Sequence, residues 1–328
     1  MFDIKRREFI TLLGSTAVWP ALARAQQPPA MPVIGFLHGG SPEPNARRLA
    51  GFRKGLSDAG FVEGRNIAIE FRWAEGKNDR LADMAADLIE KRVAVIATLS
   101  RTTAAVAAKK ATSTIPIYFL IADPPVELGL VTSLNRPGGN ATGIITLAAE
   151  VAAKRFSLLR ELVPQAADMA ALAQPSHPST KPVIANLQAA ARTLGVRLDV
   201  LEAGTDREIE QAYLALKPGV PLLIGTDPFF FSRRAQLVAL AARRPVPAIY
   251  DSREFAEAGG LISYGPNHVG LWQEAGSYVG RILRGEKPAE LPVAQATKFE
   301  MVINLKTANA LGLEVPPMLL ARADEVIE

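Results

Sequence analysis

Short apolar runs alternate with helical patterns along almost the whole chain, and this alternation admits few folds. Residues 33–37 (VIGFL) are apolar throughout, the mark of a strand covered on both faces. Leu49, Phe52 and Leu56 then recur at helical spacing and predict a helix over 45–59. A strand over 66–73, a helix over 80–91, a strand over 94–98, a helix over 102–110 and a strand over 115–121 follow. Strands that alternate with helices imply right-handed βαβ units around a parallel sheet.

The pattern stops at the turn-rich NRPGGNATG of 135–143 and then restarts. Helices are predicted over 152–163, 181–194, 207–216, 232–243 and 271–283, the last ended by Arg284-Gly285. Strands are predicted over 169–173, 196–201, 221–225, 248–250 and 260–263. No residue-level repeat relates the two βα halves, but a chain of 328 residues usually divides into two domains, each able to bury a core. The expected class is α/β, with two Rossmann-like, doubly wound parallel-sheet lobes and a cleft between them. Ligands of open parallel sheets sit beyond the C-terminal strand ends, and domain interfaces favour pockets. Asn140-Ala-Thr142 matches a glycosylation sequon and is read as chance.

Ahead of this alternation stands a segment of another kind. Lys5, Arg6 and Arg7 make a positive n-region, residues 9–23 an apolar stretch of about fifteen residues, and Ala23-Arg24-Ala25 a small-residue cleavage site. A membrane span needs about 20 mostly apolar residues, and Thr11, Gly14, Ser15, Thr16 and Pro20 weaken this stretch further. Arg6–Ile10 resembles the twin-arginine export signal, with Lys5 where Ser or Thr is usual and Thr11 where Lys is common. A cleaved leader over 1–25, a linker over 26–31 and export to the periplasm, by the twin-arginine rather than the Sec route, are expected.

That leader carries four basic and two acidic residues, half of the formal net charge of +4. The remainder has no clustered basic face, which argues against a nucleic-acid partner. Cysteine is absent, so disulfide, thiolate and zinc–thiolate chemistry are excluded. His38, His177 and His268 have no metal-ligand spacing. The first strand runs into His38-Gly39-Gly40-Ser41-Pro42 rather than a dinucleotide-binding turn, and in GRILRGEK (280–287) Glu286 stands between the glycine and the lysine of a phosphate loop. LISYG (261–265) has Leu261 where a nucleophile elbow needs glycine, and Ser41 in GGSPE lacks the final glycine. An enzyme, a cofactor and a metal site are therefore not expected.

Five stretches carry a family likeness: EGRNIAIEFRWAEG (63–76), ADPPVELGLVTSLNRPGGNATG (122–143), GTDPFFFSRRAQLVALAA (225–242), VPAIYDSREFAEAGGLISYG (246–265) and KFEMVINLKTANALGLEVPPMLLARADEVIE (298–328). They resemble the ABC-transporter substrate-binding proteins related to bacterial tryptophan and aromatic-amino-acid binding proteins, over residues 33–328. RREFITLLG also looks like leaders common in that group. The resemblance implies the type I periplasmic-binding-protein fold, with lobe 1 over 32–146 and 265–298, lobe 2 over 147–264, and residues 299–328 following the last hinge crossing without a lobe assigned. It implies capture of a small solute, with an amino acid as the first guess, by hinge closure, and delivery to ABC permease subunits in the inner membrane. The alternative is a sensory binding protein that reports its ligand to a membrane receptor without uptake. A monomer is the default. Moving a two-state closure from 1:99 to 99:1 takes about 5.5 kcal/mol of differential binding, so charge-assisted hydrogen bonds from both lobes are expected.

Candidate ligand contacts cluster at strand ends. The resemblance implies a contact near Gly40-Ser41, although a turn also explains Ser41 before Pro42. Ser100, Thr102 and Thr103 precede or open a helix, where hydroxyls and N–H groups hold a carboxylate or simply cap the helix. Arg101, in a loop where relatives carry small residues, either reaches across the cleft or is solvated. Asp123 before Pro124 closes a strand, and Asp227 before Pro228 is its counterpart in the second half: a carboxylate for a ligand ammonium, or an N-cap with proline at N1. Tyr250 and Arg253 lie in a further strand-end loop with Asp251 and Ser252, with Arg253 also able to pair Glu254. Relatives often have an aromatic residue or Glu in place of Asp251-Ser252. Gln174 and His177, in QPSHP, depart from the Asn-rich turn common in the family, so the inherited contact there is in question. Phe229, Phe230 and Phe231 offer an apolar wall; Trp73 and Trp272 read as structural.

Overall fold

The chain is described by a computed structural model that covers residues 31–99, 102–177 and 179–328. The leader predicted over 1–25 lies outside the described residues. From its start the first βα half holds to the expected alternation: β1 (Val33–His38), α1 (Ala46–Asp58), β2 (Ala68–Trp73), α2 (Leu81–Glu90), β3 (Val95–Thr98), α3 (Thr102–Ala111) and β4 (Ile117–Ile121). Every residue of β3 and β4 is buried, as continuous apolar runs require when helices cover both faces.

One difference from the predicted pattern follows. The NATG end of the supposed turn belongs to a strand, β5 (Ala141–Ile145), which pairs in parallel with β4. Glycine is needed in this strand because a Cβ at Gly143 would stand 1.9 Å from the Phe119 carbonyl oxygen. The sequon asparagine is structural: the Asn140 amide donates to the Thr112 and Ile115 carbonyls (3.1 and 2.8 Å) and accepts from Lys109 Nζ (2.6 Å).

The second half runs α4 (Ala148–Leu162), β6 (Asp168–Ala173), α5 (Thr180–Leu194), β7 (Arg197–Glu202), α6 (Asp206–Ala215), β8 (Leu222–Ile224), α7 (Pro228–Ser232), α8 (Arg234–Arg243), β9 (Ala248–Tyr250), α9 (Arg253–Glu257) and β10 (Ile262–Pro266). Then α10 (His268–Leu283) and β11 (Ala294–Gln295) return to the first sheet, and β12 (Phe299–Asn304), α11 (Leu305–Ala310), α12 (Pro317–Leu320) and β13 (Glu325–Ile327) end the chain at the second.

Two sheets result, ordered β11-β5-β4-β3-β1-β2 and β13-β12-β10-β9-β8-β6-β7. All pairs are parallel except β10 with β12, which run antiparallel because a short crossing sends β12 back along its neighbour. Apolar clusters lie on both faces of each sheet. The chain passes between the sheets three times: after β5, before α10 and after β11.

The return of α10 to the first sheet depends on a close helix pair. A Cβ at Gly55 on α1 would meet the Gln273 carbonyl oxygen at 1.8 Å, and one at Gly276 on α10 would meet the Phe52 carbonyl oxygen at 2.2 Å. Backbone thus lies against backbone, and Trp272 is carried into the core beside Phe36 and Phe52.

Candidate functional site

Both sheets point their C-terminal strand ends at the same space. His38, Leu99, Ile121 and Thr146 enter it from the first sheet, and Thr226 and Asp251 from the second. The resulting cavity encloses about 680 Å³, its open mouth included. A second cavity of about 500 Å³ shares Ala122, Ala148 and Thr226 with the first and runs under Gln174, His177 and Asp227. A third, at the lip, brings Gly39 and Thr103 against Gln174, His177 and Asp227.

Aromatic rings and buried charges share the walls of the first cavity. His38 Nδ1 accepts from the Gly40 N–H at 2.9 Å, and its ring packs on Trp73 and Trp272 with centroids 4.6 and 5.6 Å away. Arg48 reaches in from α1; its Nε donates to Glu254 Oε1 at 2.9 Å, and its guanidinium carbon stands 3.7 Å from the Phe231 ring centroid. Burial alone would raise the Glu254 pKa, but the Arg48 charge and hydrogen bond, helped by His268, outweigh it and hold this carboxyl at about 2. The buried Asp251 adds a carboxylate, and His268 an imidazole.

At the lip, Asp227 Oδ1 accepts from the Phe229 N–H at 2.6 Å and caps α7, with Pro228 at its first position. Its other oxygen stands 3.9 Å from His177 Nε2, and His177 Nδ1 accepts from the Ser179 N–H at 3.1 Å. With Nδ1 accepting, the proton of the neutral ring sits on Nε2, facing the carboxylate. Gln174 Oε1 is turned into its own loop, accepting from Ser176 N–H and Oγ at 2.6 and 2.9 Å.

The sequence-predicted contacts therefore separate into groups. Thr103, Gln174 and Asp227 converge on the lip. Thr102, fully buried, donates to Asp123 Oδ2 and ties the start of α3 to the end of β4. Ser41 offers its carbonyl to Asn45 Nδ2 at 2.9 Å, so it reaches the first cavity only through Asn45. Ser100 and Arg101 lie outside the described residues.

Tyr250 and Arg253 line none of these three cavities. Tyr250 ends β9 with its ring stacked on Phe255 inside the second sheet's core, centroids 4.6 Å apart, and burial pushes its phenol well up. Alternation along the strand explains this: Tyr250 points to the helical layer, and Asp251, one residue on, lines the cleft. Arg253 binds Glu257 at 2.8 Å, Glu300 at 3.3 Å and Glu325, three carboxylates of its own lobe.

Residues that sequence reasoning did not single out supply much of the lining. His38 and Asp251 carried a signal, since both stand at the end of a predicted strand. Arg48 carried a fainter one: it lies four residues before Phe52, on the apolar stripe of α1. Among the described residues no cluster of three or more His, Asp or Glu is placed to hold a metal ion, and no helix is long and apolar enough to cross a membrane.

Comparison with known proteins places this arrangement. The sequence model of the ABC transporter substrate binding protein family matches residues 39–327, and the chain belongs to that family. The family is one of solute binders, not of enzymes, and the architecture is that of type I periplasmic binding proteins. A tyrosine-binding protein of Clostridioides difficile (strain R20291) is 29% identical over 267 residues, 80% of this chain and 76% of that protein. A domain from Streptococcus pneumonia, solved in complex with L-Trp, is 26% identical with a TM-score of 0.82, covering 90% of this chain and 99% of that one. The ligand-free, open structure of a substrate-binding protein with adhesive properties from Clostridium difficile is 25% identical at the same coverage, with a TM-score of 0.65. Substrate-binding proteins of ABC transporters are extracellular or periplasmic.

Proposed function

We propose that this protein captures an aromatic L-amino acid outside the cytoplasmic membrane and delivers it to an ABC permease for import. The observation that carries the reading is the first cavity, built from both lobes and combining the aromatic side chains of Trp272 and Phe231 with the buried charges of Arg48 and Asp251. Rings supply apolar contact, and opposite charges suit a zwitterion. Thr103, Gln174 and Asp227 line the third cavity, and the twin-arginine leader of residues 1–25 directs the protein to the periplasm.

Relatives support the side-chain class, since one is named for tyrosine and another was solved with L-Trp. We read the described state as the closed form: with coverage and identity nearly matched, the TM-score is 0.82 to the L-Trp complex and 0.65 to the open structure. A ligand that bridges both lobes stabilises such a state, and only its differential affinity for closed over open drives closure.

Isothermal titration with L-tyrosine, L-tryptophan, L-phenylalanine and L-leucine tests the reading. At least one aromatic amino acid is expected to bind with a Kd of about 1 μM or below, on the order of −8 kcal/mol, and to raise the melting temperature as its concentration rises. No heat and no shift with any of the four would overturn the amino-acid assignment.

A further inference from the structure

We infer that Arg48 is the anchor for the solute's carboxylate, and that carboxylate binding there is coupled to lobe closure. This rests on the amino-acid reading of the cavity and deepens it. Arg48 belongs to α1, which packs on the first sheet, yet its side chain is 9% exposed because elements of the second lobe cover it. Glu254 of α9 takes Nε at 2.9 Å, and Phe231 of α7 lies 3.7 Å under the guanidinium carbon. Nη2 is buried and makes no hydrogen bond, while the side chain itself lines the first cavity.

A buried guanidinium N–H without an acceptor carries an uncompensated desolvation cost. In the open form water meets that donor; in the closed form only a cavity occupant can. A carboxylate suits it best, since the guanidinium presents donors in a fixed fork and charge-assisted bonds are the strong ones. Glu254 already fixes the fork through Nε, so a solute anion at Nη2 completes a bridge from α1 through Arg48 to both the ligand and α9. Closure without an anion leaves the donor orphaned; closure with one satisfies it. The solute is thereby read for its carboxylate, separately from the ring contacts that read its side chain.

The test is a selectivity ratio. L-tryptophan and L-tyrosine are titrated against their carboxamides, which keep ring and ammonium and lose the anion, using wild type, Arg48→Lys, and the Arg48→Gln/Glu254→Gln double variant. Lysine keeps a charge for Glu254 but lacks the forked Nη2; the double variant leaves no buried unpaired charge, so each can fold. Wild type is expected to prefer acid over amide by about 10- to 100-fold, the range of one charge-assisted hydrogen bond, with the preference falling to within about 3-fold in both variants. An acid preference that survives in both variants, or an equal loss of acid and amide binding, overturns the Arg48 assignment and leaves the amino-acid reading standing. Should wild type bind no amino acid, a panel of aromatic carboxylates such as indole-3-acetate and 4-hydroxyphenylacetate decides separately. Arg48-dependent binding of these retains the anchor and removes the amino-acid reading; no binding of any carboxylate removes both.

Discussion

Arg48 and Glu254 pair at 2.9 Å across the cleft, 206 residues apart in sequence, with side chains only 9% and 13% exposed. Beside them Arg47 and Glu257 form a more exposed pair at 2.8 Å between the same two helices. Breaking a buried pair by removing one partner typically costs about 3–5 kcal/mol, but here the lobes can part and return the remaining charge to water. That cost is therefore capped by the free energy of opening. Glu254→Gln is expected to enlarge the ligand-free radius of gyration measured by small-angle scattering, while the urea midpoint of unfolding moves by less than a single-site core defect would move it. A large loss of midpoint with an unchanged radius would contradict the latch.

The same pair sets a pH dependence of closure. Glu254 is held at about 2 in the closed form against an ordinary value of 4.5, through Arg48 and His268. A depressed carboxyl favours the closed state above its open-state value and loses that contribution as pH falls from about 4.5 to 2. Glu257, held down by Arg253 and Arg47 against its burial, titrates in the same direction. Glu300 is displaced upward, chiefly by burial, and Glu254 adds to that displacement; it opposes the trend as pH rises. The ligand-free radius is expected to expand as pH falls below about 4.5, with the Glu254→Gln variant showing a much weaker transition.

Strand–helix alternation was readable because its physics is local: apolar runs such as 117–121 and stripes such as Leu49, Phe52 and Leu56 encode their own partners. So was the cap of α7, where Asp227-Pro228 carries both halves of the signal. What escaped depended on distant residues. Arg48 reads in sequence as a long side chain snorkelling off a helix, and nothing near it announces Glu254. Arg253 was open to a ligand role until β12 and β13, unassigned from sequence, brought Glu300 and Glu325 to it. Tyr250 went to the core because a three-residue strand leaves its facing undetermined until the sheet is assembled.

The α1–α10 contact makes a sharper stability prediction. At Gly55 a methyl group would sit 1.8 Å from the Gln273 carbonyl oxygen, and no rotamer change relieves a clash with backbone. Overpacking in cores typically costs 1–3 kcal/mol, occasionally more, and Gly55→Ala is expected at or above about 3 kcal/mol by urea unfolding. Ala50→Gly, at an exposed position of the same helix, is the control at about 1 kcal/mol, from helix propensity alone. Equal costs at the two sites would mean that the helices are not in backbone contact.

Asp227 holds two jobs that one substitution separates. Its Oδ1 caps α7 through the Phe229 N–H, a role that asparagine fills as well as aspartate. Its charge faces His177 Nε2 at 3.9 Å and the cavities at the lip. Asp227→Asn is expected to leave the unfolding free energy within about 0.5 kcal/mol, the ordinary range away from special features, because the cap survives. Asp227→Ala is expected to cost about 1 kcal/mol more through loss of the cap. If the carboxylate also receives the solute's ammonium, both variants weaken L-tryptophan by about 10-fold or more, while 3-indolepropionate, which keeps the ring and carboxylate but has no ammonium, is bound as by wild type. Binding of L-tryptophan unchanged in Asp227→Asn would confine this residue to its cap and leave Asp251, a buried carboxylate lining the first cavity, as the ammonium site.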